Sequence, residues 1–192
     1  MALTFWYDFS SSYAYLAAMR LEAEAAGAPV VWRPFLLGPI FTEAGYGGSP
    51  NLVGAAKAAY MWRDIGRAAA ALGLPFVKPA VFPQKSVLAG RVALAAPDDE
   101  RPRLTRAIFT QTFAHGRDIA DPAVVADAIA EAGCDANLLD RASEPMVKQA
   151  LFDAVDDAKA AGVFGAPTFM LPDGELYWGN ERMAEALAAL NA

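Results

Sequence analysis

The sequence predicts a mixed α/β protein in which a βαβ unit and a ββα unit are separated by a mostly helical insertion. Short runs of apolar, aromatic and β-branched residues, which are typical of buried strands, lie near both ends of the chain. About a hundred residues between them have the composition and spacing of consecutive helices. The chain has 192 residues, of which 55% are hydrophobic, so it can bury a sizeable core.

The N-terminal segment has the pattern of one βαβ unit. Residues 3–8 form an apolar and aromatic run that predicts a buried strand. The serines at positions 10–12 are candidate N-caps for an alanine- and leucine-rich helix that should continue to about residue 26, before Gly27 as a C-cap. Residues 30–32 predict the second strand, and strand–helix–strand over this length makes one βαβ unit.

The helical insertion follows this unit. It begins with a segment rich in Gly and Pro, residues 38–50, which predicts a loop. Residues 73–83 contain three prolines and predict a second, extended loop. Two of the helices have proline near their start, where its missing N–H costs little. The predicted helices cover residues 52–72, 86–96, 99–115, 122–132, 136–142 and 144–161.

The last thirty residues predict the ββα unit. Residues 168–171 and 175–178 are short strands around Pro-Asp-Gly, a turn sequence suited to a hairpin, and residues 181–190 form a closing amphipathic helix. The complete order, β-α-β, helices, β-β-α, is that of the thioredoxin fold with a helical domain inserted in its middle.

The domain boundaries follow from this order. We expect residues 1–40 and 162–192 to form the thioredoxin-like domain, and residues 41–161 to form the inserted helical domain.

Charge and cysteine content exclude several classes of function. Lys and Arg number 16 against 22 Asp and Glu, and a net charge of -6 repels phosphate backbones, so we expect no nucleic-acid partner. The only cysteine is Cys134 and the only histidine is His115, too few for a disulfide scaffold or a Cys/His zinc site. No apolar run approaches the ~20 residues that span a bilayer, and no basic segment precedes Asp8. We therefore expect a cytoplasmic protein without a membrane partner or a metal.

Two junctions between elements carry candidate functional residues. The serines at positions 10–12 precede a helix, whose N-terminus offers free N–H groups and a positive dipole end to an anion. The alternative is that they only cap the helix. Pro167 immediately precedes a predicted strand, where a cis bond would expose the backbone of Ala166 to an extended ligand. The alternative is an ordinary trans turn, because only about 5–6% of X-Pro bonds in folded proteins are cis.

Charged and amide side chains at two further helix starts are also candidates. Asn180 and Glu181 open the final helix; they are ordinary capping residues, and they also suit a carboxylate and an ammonium group on a small ligand. Lys57 follows a glycine-rich loop, where it is either a solvated charge or a clamp for an anionic ligand.

Five segments taken together resemble a known family. They are YDFSSSYAYL at 7–16, WRPFLLG at 32–38, KAAYMWRD at 57–64, GVFGAPT at 162–168 and YWGNERM at 177–183. They span nearly the whole chain and resemble the DsbA-like branch of the thioredoxin superfamily that comprises kappa-class glutathione transferases and 2-hydroxychromene-2-carboxylate isomerases. The last two segments are the most specific.

The resemblance implies a glutathione site. Ser11 matches the catalytic serine of the family, at the position where thiol–disulfide relatives have the first cysteine of Cys-x-x-Cys. Ser12 stands where the family usually has proline, which leaves open which of the two serines contacts the sulfur, although the register favours Ser11. The remaining residues implied to contact glutathione are Pro167 as a cis-proline, Ala166 by its backbone at the cysteinyl part, Asn180 and Glu181 at the γ-glutamyl end, and Lys57 with Asn51 at the glycyl end.

The resemblance also implies a reaction, which belongs to aromatic compound catabolism. The thiolate of glutathione adds to an unsaturated aromatic hydroxy- or oxo-acid, rotation follows, and elimination regenerates glutathione. A kappa-like transferase that conjugates glutathione to an electrophile is the alternative enzyme, and a non-catalytic thioredoxin-fold binding protein is the alternative of another class. Phe35, Tyr46 and Trp62 are candidates for the substrate pocket, and the family suggests a homodimer.

Overall fold

The strands form one mixed sheet in which β1 lies between β2 and β3. The computed structural model describes residues 2–49 and 53–191. The spatial order is β2-β1-β3-β4. β1 pairs in parallel with β2 and antiparallel with β3, and β3 pairs antiparallel with β4. These strands are β1 (Leu3–Tyr7), β2 (Val30–Pro34), β3 (Thr168–Met170) and β4 (Leu176–Trp178).

The predicted helices of the insertion are found in the predicted order, each shorter by one to three residues at one or both ends. Within residues 2–49 and 53–191, none of the helices combines the length and apolar character needed to cross a bilayer. A single 3-10 turn, Asn180–Arg182, precedes the last helix. The α-helices are α1 (Ser12–Ala18), α2 (Leu21–Ala25), α3 (Leu37–Glu43), α4 (Ala55–Ala71), α5 (Val87–Ala95), α6 (Arg101–Phe113), α7 (Pro122–Glu131), α8 (Leu138–Arg141), α9 (Pro145–Ala160) and α10 (Met183–Leu190).

The structure corrects the prediction of one continuous helix up to residue 26. α1 ends at Ala18 and α2 begins at Leu21, with Arg20 between them at φ -123° and ψ -12°. The Arg20 guanidinium donates to the backbone carbonyl of Asn180 across 2.7 Å. The helix is therefore interrupted where Arg20 contacts Asn180, near the C-terminus of the sequence. Local helix propensity does not predict such a distant contact.

The segment predicted as a loop from residue 38 contains α3. Its proline, Pro39, lies in the first turn, where the missing N–H has no intrahelical acceptor to lose. The N–H of Leu37 is bonded to the Asp8 carboxylate at 2.7 Å. Leu37 and Ile40 are buried beside Trp6. Burial of this short apolar face stabilises a helix that glycine and proline content alone argue against.

One hydrophobic core joins the N-terminal strand and the helical insertion. Phe109 of α6 is fully buried and contacts the rings of Tyr7, Phe9 and Tyr15, with centroid distances of 6.0, 5.0 and 6.3 Å. The Tyr7 hydroxyl is 2.7 Å from the Thr105 hydroxyl on the same helix. The core therefore contains residues of both expected domains, which were divided between residues 40 and 41. The carboxyl end of β1 packs against α6 of the insertion.

Candidate active site

Ser11 lies where the carboxyl end of β1 meets the start of α1. It is the N-cap of α1, and its Oγ accepts a hydrogen bond from the Ala14 N–H at 3.2 Å. The same hydroxyl donates to the backbone carbonyl of Ala166 at 2.9 Å. The capping geometry expected of the serines is therefore formed by Ser11, and its hydroxyl also bridges two segments that are 155 residues apart in the chain.

The segment that Ser11 contacts carries the proline before β3. The peptide bond between Ala166 and Pro167 is cis. Thr168 follows in β3, where it pairs with Trp6 of β1 and with Trp178 of β4. The sheet therefore fixes the Ala166 backbone next to the N-terminus of α1.

A large cavity opens beside these two segments. Its volume is about 1110 Å³, which is at the upper end of the range for small-molecule sites. Ser11 and Ala166 lie in its wall, together with Tyr46 and Lys57 among the predicted residues. Most of the other wall residues come from α3 with the loop after it and from α5 with the loop before it. Two helices, α3 and α5, and the loops next to them therefore form much of the cavity wall.

Phe35 and Trp62 lie elsewhere. Phe35 is 1% exposed and packs edge-on against Trp6 in a second core cluster, at 5.9 Å between centroids. Trp62 packs against Phe82 at 4.7 Å, and the Lys78 ammonium lies 5.3 Å from its ring centroid. Neither ring lines the large cavity. Asn51, the predicted neighbour of the lysine, lies outside the described residues.

A further aromatic pair lies at the cavity wall. Phe164 and Trp178 are 55% and 54% exposed and contact each other edge to face at 4.9 Å. A Cβ added at Gly165 would be 2.3 Å from the indole Nε1 of Trp178, so this position requires glycine as long as the indole stays in place. The only sequence signal for this contact is Gly165, the second glycine of the 162–168 segment.

Asn180 and Glu181 lie beside α1, outside the cavity lining. Arg20 donates to the Asn180 side-chain oxygen at 3.0 Å as well as to its backbone carbonyl. Gly179 has φ +115°, and a Cβ there would be 2.8 Å from a Glu181 carboxylate oxygen. This glycine therefore lets the exposed Glu181 carboxylate lie against the backbone. Arg20 was not predicted from the sequence, where it is only a basic residue within an alanine-rich helical segment.

Asp8 is a buried carboxylate in the cavity wall, and the sequence showed it only as the end of a strand. It accepts hydrogen bonds from the backbone N–H groups of Ser10 at 2.8 Å and Leu37 at 2.7 Å. Burial raises the pKa of Asp8, while these backbone bonds and the Ser86 and Ser10 hydroxyls oppose the rise. Asp8 thus ties the end of β1 to the start of α3, two parts of the same wall.

Because burial raises the pKa of Asp8, its contribution to stability should fall with rising pH. A carboxyl group with a raised pKa holds its proton more tightly in the folded than in the unfolded chain. The stabilisation is present near the unfolded value of about 3.9 and is lost as the pH rises through the folded pKa. Urea unfolding at several pH values should show the advantage of wild type over Asp8→Asn shrinking as the pH rises above about 4.

A control for that measurement is Asp173→Asn, which removes one exposed carboxylate that also accepts a backbone N–H, from Glu175 at 3.1 Å. An advantage over Asp8→Asn that grows with pH would mean that the two backbone bonds outweigh burial.

Other reactive groups lie outside this site. Among the described residues, no three His, Cys, Asp or Glu side chains are grouped so that they could hold a metal ion. Cys134 is half-buried, and burial is the main cause that raises its thiol pKa, which disfavours a nucleophilic thiolate.

A family model described as the DSBA-like thioredoxin domain matches residues 2–191. The chain belongs to this family. The resemblance drawn from five segments and the thioredoxin-like fold with its helical insertion are both confirmed.

Two curated relatives share the family and match nearly the full length. A 2-hydroxychromene-2-carboxylate isomerase of Sphingobium xenophagum is 28% identical over 94% of this chain and 93% of its own. One from Pseudomonas putida is 26% identical over 95% of this chain and 91% of its own. The chain is therefore similar to isomerases over its whole length.

Solved structures give the same result. A structure of 2-hydroxychromene-2-carboxylate isomerase has a TM-score of 0.87 and 25% identity, covering 100% of this chain and 95% of that chain. The cytosolic disulfide reductase DsbM of Pseudomonas aeruginosa, solved with GSH, shares the fold with a TM-score of 0.67 and 24% identity, covering 100% and 98%.

Proposed function

We propose that this protein is a glutathione-dependent isomerase of the 2-hydroxychromene-2-carboxylate type. The observation that carries the proposal is the hydrogen bond between the Ser11 hydroxyl and the Ala166 carbonyl at the wall of a large cavity. Two full-length relatives named as isomerases support it. Position 11 holds serine, and the one cysteine, Cys134, lines no part of the cavity, so the thiol must come from a bound molecule.

Glutathione would bind with its cysteinyl part along the Ala166 backbone. Its sulfur would lie near Ser11, whose hydroxyl would then turn from the Ala166 carbonyl and donate to the thiolate. A free thiol has a pKa of about 8.5, and lowering it by one or two units takes roughly 1.4–2.7 kcal/mol. A charge-assisted hydrogen bond together with the N-terminus of α1 is of this size.

The two ends of glutathione carry charges that the predicted residues complement. Arg20 already occupies the side-chain oxygen of Asn180, so the Asn180 amide N–H groups would donate to the γ-glutamyl carboxylate. Glu181, exposed in the same turn, would accept from the ammonium group. Lys57 in the cavity wall would bind the glycyl carboxylate.

The reaction would then proceed by reversible addition. The thiolate forms a C–S bond with the conjugated double bond of an unsaturated oxo-acid, and the displaced π electrons move to the oxo group as an enolate. The former double bond is now single and rotates. The enolate electrons then re-form the double bond and expel the thiolate, so glutathione is regenerated and no redox change occurs.

Calorimetric titration with reduced glutathione tests the binding step. We expect micromolar to low-millimolar affinity, weakened about tenfold by Asn180→Ala or Glu181→Ala, because each loses a hydrogen bond to a charged group. Thermal unfolding of the variants should change little by comparison. The matched control is Glu175→Ala, an exposed carboxylate in the turn before β4. A loss of thermal stability with unchanged affinity would leave both residues as helix caps only.

The volume of the cavity also favours a second candidate, a kappa-like transferase. About 1110 Å³ accommodates electrophiles of many shapes beside the thiol. Total free thiol distinguishes the two reactions, because a transferase consumes one thiol per product and an isomerase consumes none.

A further inference from the structure

The part of the cavity wall formed by α5 and the loop before it carries two cations, Lys85 and Arg91. Lys85 is exposed, whereas Arg91 is only partly exposed. The Arg91 Nε is buried and has no hydrogen-bond partner. In the part of the chain that the structure describes, Arg91 also forms no ion pair within 4.0 Å. Among the described residues, none therefore forms a hydrogen bond or an ion pair with the Arg91 guanidinium.

Other partly buried arginines are bonded. Arg101 donates to the carbonyls of Ala93 at 2.7 Å and Ala96 at 3.0 Å and forms an ion pair with Asp98. Arg20, whose Nε is also without a partner, donates through its terminal nitrogens to Asn180 and Glu24. Arg91 has neither kind of contact. Arg91 lines the cavity, and its terminal nitrogens have no acceptor among the described residues, so an anionic ligand in the cavity would supply one.

Neighbouring polar groups in the same wall are already occupied. The Gln84 amide donates to the Arg117 carbonyl at 2.9 Å and accepts from the Ile119 N–H at 3.1 Å. The Asp8 carboxylate is bonded to two backbone N–H groups, those of Ser10 and Leu37. Arg91 and Lys85 are the cations of this wall that are placed to bind an anion, and only the planar fork of Arg91 matches a carboxylate with two parallel hydrogen bonds.

We propose that Arg91 binds the carboxylate of the electrophilic substrate and so makes the site selective for oxo-acids over neutral electrophiles of similar shape. Lys85 adds a second, exposed positive charge at the same wall. The inference rests on the proposed function for the identity of the reaction. A carboxylate held at Arg91 fixes one end of the substrate, while the other end turns about the single bond formed by thiol addition.

The test compares three variants. Arg91→Met replaces the guanidinium with an unbranched apolar side chain, and Arg91→Lys keeps a positive charge. Arg141→Met is the control, because Arg141 is an exposed arginine on α8. The probes are 2-hydroxychromene-2-carboxylate, the neutral conjugated ketone benzylideneacetone, and reduced glutathione. We expect Arg91→Met to lower kcat/KM for the carboxylate about 10- to 100-fold, mainly through KM. Its glutathione affinity and its rate with the ketone should stay within about twofold of wild type. For the carboxylate substrate, kcat/KM of Arg91→Lys should lie between the values for wild type and Arg91→Met. Arg141→Met should have the wild-type value.

A binding measurement separates this inference from the proposed function. The saturated analogue 4-(2-hydroxyphenyl)-2-oxobutanoate has no conjugated double bond and cannot undergo conjugate addition of a thiol, and it can be titrated into the protein with and without glutathione. Binding to wild type that Arg91→Met weakens about tenfold or more supports the inference even if glutathione does not bind. Equal losses with carboxylate and ketone would overturn it in favour of a structural role. Weakened glutathione affinity in Arg91→Met would instead place a glutathione carboxylate at this residue.

Discussion

In the proposed isomerase reaction, Ser11→Ala should lower turnover about 10- to 100-fold while the protein stays folded. The Ser11 hydroxyl is at the N-terminus of α1 and is within hydrogen-bond distance of the Ala166 carbonyl, so it can reach a thiol bound along that backbone. Loss of a donor to a charged acceptor costs about 1.5–3 kcal/mol, which corresponds to this change in rate. The pKa of bound glutathione, followed by ultraviolet absorbance of the thiolate, should rise in the variant.

The stability cost of this substitution should be small. Removing the N-cap bond to the Ala14 N–H costs about 1 kcal/mol, because one N–H at the helix start loses its acceptor. A thermal unfolding curve measured without glutathione gives this value separately from the kinetic effect.

Ser12→Ala is the matched control. Its Oγ is buried and has no partner, so replacing it removes no hydrogen bond that the structure shows. We expect turnover near that of wild type. Normal turnover in Ser11→Ala together with loss in Ser12→Ala would assign the sulfur contact to Ser12, the choice that the sequence left open.

Phe109→Ala should reduce the free energy of unfolding by about 3–5 kcal/mol, the range for removing a fully buried phenylalanine. The ring is 0% exposed and lies between the rings of Phe9 and Phe113, at centroid distances of 5.0 and 6.3 Å. It joins α6 to the carboxyl end of β1, so its loss leaves a cavity where the two parts of the chain meet. Chemical unfolding followed by tryptophan fluorescence and by circular dichroism measures the change.

The same experiment tests how the predicted domains unfold. Because the core is shared, we expect the two probes to give one coincident transition in wild type and in the variant. The control is Phe152→Ala on α9, where the ring is 58% exposed and the change should be within about 0.5 kcal/mol. Two separate transitions would show that the thioredoxin-like part and the insertion are stabilised independently.

Several elements could be predicted because their signal is local. The strand at residues 3–8 was predicted from a continuous apolar and aromatic run, and the helix at 144–161 from the helical spacing of its apolar residues. The structure places Leu3–Tyr7 and Pro145–Ala160 there. Ser11 and Ala166 were matched by resemblance, and the fold brings them within 2.9 Å. Tyr46 and Lys57 line the same cavity.

Other elements were not predictable because their partners lie far away in the chain. α3 contains Gly38 and Pro39, and its burial beside Trp6 and Ala158 is visible only after the sheet and α9 have come together. Phe35 was predicted as a pocket residue because it is aromatic, and it is instead buried in the core cluster that contains Trp6 and Ala158. An apolar ring in a sequence does not show which of two surfaces it will cover.

The sequence by itself determined the order of strands and helices, the absence of a cysteine at position 11 and the family resemblance. Each of these depends on residue type and on spacing along the chain. Only the tertiary structure decided that Arg20 holds Asn180, that Asp8 joins β1 to α3, and that Arg91 faces a cavity without a partner. The physical reason is that hydrogen bonding and burial of a charged side chain depend on which distant groups surround it, and chain spacing does not encode those neighbours.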